Sequence, residues 1–141
     1  MSVSGPILIV EDDKDDQFIT LEALRELGVS NQVLFFENGP QVIQYFSSTT
    51  EQAFLILCDV NLPLMNGIEL RDYIDSSPEL KKKAIPFVYF TTSGSAGMVN
   101  EAYKGSIQGY FQKPQNYGEL KGRLSSIIEY WKSCLHPNTF R

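Results

Sequence analysis

Short, continuous apolar runs alternating with longer amphipathic stretches constrain this chain more than any other feature. The runs are "ILIV" (7–10), "QVLFF" (32–36), "AFLILC" (53–58), "IPFVYF" (85–90) and "GYFQ" (109–112). Runs of this length that are apolar without alternation suit strands buried on both faces, as in a parallel sheet covered by helices. Between them, "DDQFITLEALRELG" predicts a helix with Phe18, Leu21 and Leu24 on one face and Gly28 as its left-handed stop. Further helices are expected near 41–46, 67–76 and 98–104. The last helix is the clearest, because Leu120, Leu124, Ile127, Ile128 and Trp131 recur at i, i+4, i+7, i+8 and i+11. Five βα units follow, giving an α/β fold with a doubly wound, five-stranded parallel sheet.

At 141 residues, with 43% hydrophobic and 21% charged residues, the chain suits one compact domain over 5–135 and a short C-terminal tail at 136–141. Little room is left for a separate output domain. The balance of 12 Lys+Arg against 17 Asp+Glu gives −5, and the one basic run, Lys81 to Lys83, reads as a solvated helix end. Direct DNA binding is therefore not expected. No apolar run approaches a membrane span, and "MSVSGPILIVEDD" lacks the charged and apolar regions of a signal peptide, so a cytoplasmic protein is expected. Cys58 and Cys134 have no zinc-type spacing and read as packing residues, while His136, the only histidine, offers no general base or metal site.

A doubly wound sheet of order 2-1-3-4-5 changes direction between its first and third strands, and ligands bind beyond the carboxyl ends there. The residues at those ends are Glu11, Asp12 and Asp13, then Asp59, then Thr91 and Thr92, then Lys113 before Pro114. Each alone has an ordinary explanation as a cap, strand end or loop residue. Together they put acids, a hydroxyl and an amine on one rim. Crowded carboxylates raise one another's pKa unless a cation neutralises them, and Mg²⁺ suits hard oxygen ligands that bridge to a phosphoryl group.

In this order, "ILIVEDD", "CDVNLPLMNG", "FTTS" and "GYFQKP" resemble the receiver domain of two-component response regulators, over nearly the whole chain. The resemblance implies the flavodoxin-like (βα)5 receiver fold. It implies Asp59 as acceptor of a phosphoryl group from a histidine kinase or histidine phosphotransfer protein. It implies Glu11, Asp12, Asp59 and the backbone carbonyl of Asn61 as the Mg²⁺ site, Lys113 as the phosphate-binding lysine, and Thr91 with Tyr110 as the switch pair. A cis Lys113–Pro114 bond is implied as well. The protein would then not be an enzyme in its own right, apart from its self-catalysed phosphorylation and any slow autodephosphorylation.

Two positions depart from the family's usual pattern: Glu11 replaces an aspartate, and Asn66 stands where Asp often precedes Gly67. Neither removes the acceptor. The acids Asp15 and Asp16 complete "EDDKDD", which is similar to stand-alone regulators of phytochrome-type or hybrid kinases, although favourable charge at a helix N-terminus explains them equally. With output left to docking, Phe111, Tyr117, Tyr130, Trp131 and Leu135 are candidates for a homodimer or partner surface. A flavodoxin-like electron carrier is disfavoured because "EDDKDD" repels a flavin phosphate, and a haloacid-type phosphatase because Asn61 replaces its second aspartate. The remaining alternative is a receiver-like interaction module that works without phosphorylation.

Overall fold

The computed structural model describes residues 3–135, so His136 and the tail at 136–141 lie outside the described residues. Five strands, β1 (Ile7–Val10), β2 (Val33–Phe36), β3 (Leu55–Cys58), β4 (Phe87–Thr91) and β5 (Tyr110–Gln112), form one sheet of order β2-β1-β3-β4-β5. Every pairing is parallel, with Val10 opposite both Phe36 and Cys58. Among the described residues there are six helices, five between the strands and one after the last: α1 (Lys14–Glu26), α2 (Gly39–Ser48), α3 (Gly67–Ser76), α4 (Pro78–Lys82), α5 (Ala96–Tyr103) and α6 (Tyr117–Ser133).

Each central strand shares its side chains between two cores, which is why its sequence is apolar throughout rather than alternating. Ile7, Ile9, Leu55, Leu57, Val88 and Phe90 face α1 and α6, meeting Ala23, Leu24, Leu120, Leu124, Ile127 and Ile128. Leu8, Val10, Ile56, Cys58, Phe87 and Tyr89 face the other side, meeting Val42, Phe46, Leu70, Ile74 and Ala102. The outer strands β2 and β5 are only partly buried.

Three expectations change, and one helix is added. Phe18 does not join the core face of α1. It is 64% exposed, while Gln17, Thr20, Ala23 and Leu24 turn inward. The helix is phased by its start, where Asp13 caps it by accepting from the Asp15 and Asp16 amides and Gln17 Nε2 donates to the Glu11 carbonyl at 2.6 Å. A short helix, α4, is present before β4, started by Ser77 and Pro78 and ending in Lys81 and Lys82, which accounts for the basic run. Phe111 and Trp131 pack against the α1/α6 core, leaving Tyr117, Tyr130 and Leu135 as the exposed members of the proposed aromatic surface. There is no cis peptide among the described residues, so Lys113–Pro114 is trans, the lower-energy form even before proline.

Candidate functional site

The carboxyl ends of β1, β3, β4 and β5 bring the predicted rim residues together. β1 and β3 stop where their apolar runs give way to Glu11 and Asp59, whereas β4 and β5 run one polar residue further, to Thr91 and Gln112. Asp59 N donates to Val10 O at 3.0 Å, and Lys113 N donates to Thr91 O at 2.7 Å. Carboxylate oxygens of Glu11, Asp12 and Asp59 lie within 4.8 Å of one another. Glu11 and Asp59 are buried, at 3% and 8% exposure, and Asp12 opens to solvent.

Asp59 Oδ1 accepts from two donors, the hydroxyl of the wholly buried Thr91 at 2.5 Å and the Asn61 amide at 3.2 Å. Thr91 Oγ1 in turn accepts from the Ser93 amide at 3.2 Å, and the Ser93 carbonyl accepts from the Tyr110 hydroxyl at 2.5 Å. Tyr110 is thus joined to Thr91 through Ser93. Its ring lies 5.6 Å from that of buried Tyr89, and burial raises the Tyr110 phenol above its usual range.

Lys113 pairs with Glu11 rather than with Asp59. Its ammonium also lies 3.8 Å from Asp16 Oδ2 and 5.7 Å from the Phe90 ring centroid, with its side chain 9% exposed. Burial pushes the Glu11 carboxyl up to about 7, Lys113 pulls it down, and the nearby charge of Asp59 adds to the rise. Asp16 is thereby more than a helix-end charge, since it is a second acid facing Lys113.

One residue that sets the site was not singled out from the sequence as functional. A Cβ on Gly67 would fall 2.4 Å from the Asp59 carbonyl oxygen, so only glycine lets the first turn of α3 lie against the backbone that carries Asp59. The Gly67 amide donates to Val60 O at 2.9 Å at the same crossing. Next to it, Asn66 and Glu69 form a capping box, which gives the departure at Asn66 a structural use. Cys58, directly before Asp59, is buried and its thiol is pushed up by burial, consistent with a packing role.

The chain is a doubly wound parallel α/β domain with an acid trio, a hydroxyl and a lysine at its switch point. Residues 7–125 match the family described as the response regulator receiver domain. The chain belongs to that family and is a receiver domain of the two-component response regulator type. It is 30% identical over 129 residues to the "Probable methanogenesis regulatory protein FilR2" of Methanothrix harundinacea, covering 89% of this chain and 82% of that protein. It is 29% identical to response regulator Rcp1 of Synechocystis, covering 89% of this chain and 87% of that one. Among solved structures, the phosphorylated cyanobacterial phytochrome response regulator RcpA superposes with a TM-score of 0.78 at 30% identity, covering 93% of this chain and 96% of that one. The Mn²⁺-bound form of Rcp1 gives 0.76 at 28% identity, with the same two coverages. Receiver domains act generally as non-enzymatic signalling modules and bind Mg²⁺ at an acidic pocket of this kind. Among the described residues no helix is long and apolar enough to cross a membrane.

Proposed function

We propose that the chain accepts a phosphoryl group on Asp59 from the phosphohistidine of a histidine kinase or histidine phosphotransfer protein. The O–P bond forms as the P–N bond breaks, and the electron pair stays with the imidazole nitrogen. The observation that carries this reading is the convergence of three carboxylates within 4.8 Å, with the Thr91 hydroxyl on Asp59 and Lys113 one acid away.

The three acids are hard oxygen donors whose repulsion a divalent cation relieves, so the donor set fits Mg²⁺. Glu11, Asp12, Asp59 and the Asn61 carbonyl would hold it. Bound there, Mg²⁺ supplies charge neutralisation between the carboxylates and the phosphoryl oxygens. The rest falls to the chain's own residues. Lys113 offers a mobile point charge that moves from Glu11 toward the new phosphoryl oxygens. Thr91 donates one uncharged hydrogen bond to the adduct in place of its bond to Asp59. Ser93 and Tyr110 feel that change through the bonds already joining them to Thr91. Positioning and electrostatics lower the barrier, as phosphoryl transfer generally requires.

On this reading the protein is cytoplasmic, makes no direct contact with DNA, and turns over no substrate beyond its own phosphorylation and any slow autodephosphorylation. Residues 5–135 form the receiver unit, and output passes through docking, with Tyr117, Tyr130 and Leu135 offered to a homodimer or another partner. The test is intact mass after incubation with acetyl phosphate, for wild type and Asp59→Asn, with and without Mg²⁺. A phosphoryl adduct on wild type alone, dependent on Mg²⁺, is the expected result. No adduct there or with a kinase would leave a docking module that works without phosphorylation.

A further inference from the structure

At the opposite end of the sheet, α3 sends Arg71 inward to a position only 9% exposed. Burying a guanidinium needs partners on every side, and they are present. Arg71 Nε donates to the Ser106 carbonyl at 3.2 Å and lies 3.2 Å from Asp75 Oδ2. Nη1 donates to Gln108 Oε1 at 3.4 Å, and the guanidinium carbon sits 5.3 Å from the Phe87 ring centroid. Gln108 Oε1 also accepts from the Phe87 amide at 2.7 Å, so one side-chain oxygen joins α3, the entry to β4 and the segment leading into β5.

That segment bears directly on the switch. Gln108 is followed by Gly109, whose φ of +150° is open to glycine and strained for other residues, and then by Tyr110. Reading outward from the acceptor, the contacts are Asp59 to Thr91, Thr91 to Ser93 and Ser93 to Tyr110. Two residues along the backbone from Tyr110 comes Gln108, held by Arg71. The first contacts lie at the movable end of this series, because the phosphoryl group takes the Thr91 hydroxyl. The last lies at a buried, multiply held charge.

We propose that Arg71 is a positioning residue for the switch: by gripping Ser106 and Gln108 it fixes the lead-in to β5, so that Tyr110 stays hydrogen-bonded to Ser93 and the balance between the free and phosphorylated arrangements depends on that grip. The inference rests on the reading of Asp59 as acceptor and Tyr110 as its reporter. Contiguity alone does not establish coupling; a shift in both sites' equilibria does. If the grip holds Tyr110 in place, loosening it changes anion binding at Asp59, since whatever shifts the switch equilibrium shifts the affinity of a ligand that prefers one arrangement.

The experiment compares wild type, Arg71→Met and Arg71→Lys, with beryllofluoride plus Mg²⁺ as the phosphoryl mimic. Binding is measured by titration, and Tyr110 is followed by fluorine NMR of fluorotyrosine-labelled protein, assigned with Tyr110→Phe. The expected result is that Arg71→Met keeps its Mg²⁺ affinity, binds beryllofluoride with an affinity changed roughly fivefold or more, and shows a Tyr110 signal broadened or split before ligand is added. Arg71→Lys keeps a charge beside Asp75 without the planar fork and falls between the two; it carries the comparison by itself should Arg71→Met not fold. Equal beryllofluoride affinity and an unchanged Tyr110 signal in the folded variants, whatever their melting temperatures, overturn the role of Arg71. A wild-type Tyr110 signal that ignores beryllofluoride removes the switch itself, and Arg71's role with it.

Discussion

The two ends of the sheet both bury charge, and they do so by opposite rules. At the carboxyl rim, Glu11, Asp12 and Asp59 crowd together with Lys113 as the basic partner of Glu11. At the amino end, Arg71 is matched by Asp75, two acceptors and an aromatic face. The rim is left with surplus negative charge that a cation would neutralise, whereas at the amino end the guanidinium charge is already matched, although Arg71, Asp75, Ser106 and Gln108 also line an open pocket. An excess of one sign marks the end that can take up an opposite charge; a balanced set marks the end whose charge is already met.

Adding Mg²⁺ should separate the two ends most strongly. At a hundredfold excess over its dissociation constant, Mg²⁺ should stabilise the wild type by about 2.7 kcal/mol, read as a rise in melting temperature that EDTA reverses. Asp59→Asn should lose most of that rise, while Asp75→Asn should keep it. Next in size is Gly67→Ala, whose added methyl must displace the Asp59 backbone. It should cost about 1–3 kcal/mol in urea unfolding and weaken Mg²⁺ binding with it. The smallest effect is the most direct test of the comparison. In metal-free buffer Asp59→Asn should stabilise the fold by roughly 1 kcal/mol, because it relieves crowding while keeping an acceptor for Thr91. Asp75→Asn should destabilise it by about 0.5–1 kcal/mol, a modest loss because the carboxylate is 24% exposed. Shifts of the same sign in the two variants would break the contrast.

The rim was legible in the sequence because its logic is local. Each strand is a continuous apolar run, and the first polar residue after it is carried to the rim by the strand itself, as Asp59 and Thr91 show. The fold order and the family followed from those same motifs. What escaped depends on contacts between distant segments or on close packing. The phase of α1 was set by Asp13 and Gln17 at its start, not by Phe18, which lies in solvent. Gly67 reads as a helix-start glycine until α3 is laid against Asp59. Arg71 and Gln108 are 37 residues apart, and nothing in the local pattern of either points to the other. The pairing of Lys113 with Glu11, across 102 residues, was equally beyond the reach of spacing. The α4 turn was too short to show a periodicity, although its Ser77–Pro78 start carried the usual signal.

The place of β3 and β5 in the sheet has a further consequence for how the domain breathes. Asp59 follows a strand flanked on both sides and buried along its whole length, so its neighbourhood opens only when the domain as a whole comes apart. Tyr110 begins a strand of three residues with a single neighbour, partly open to water, where brief local opening costs little. Asp59 is thus rooted in the most persistent part of the molecule, while Tyr110 stands at a more open edge, tied down by its bond to Ser93 and by the held segment before it.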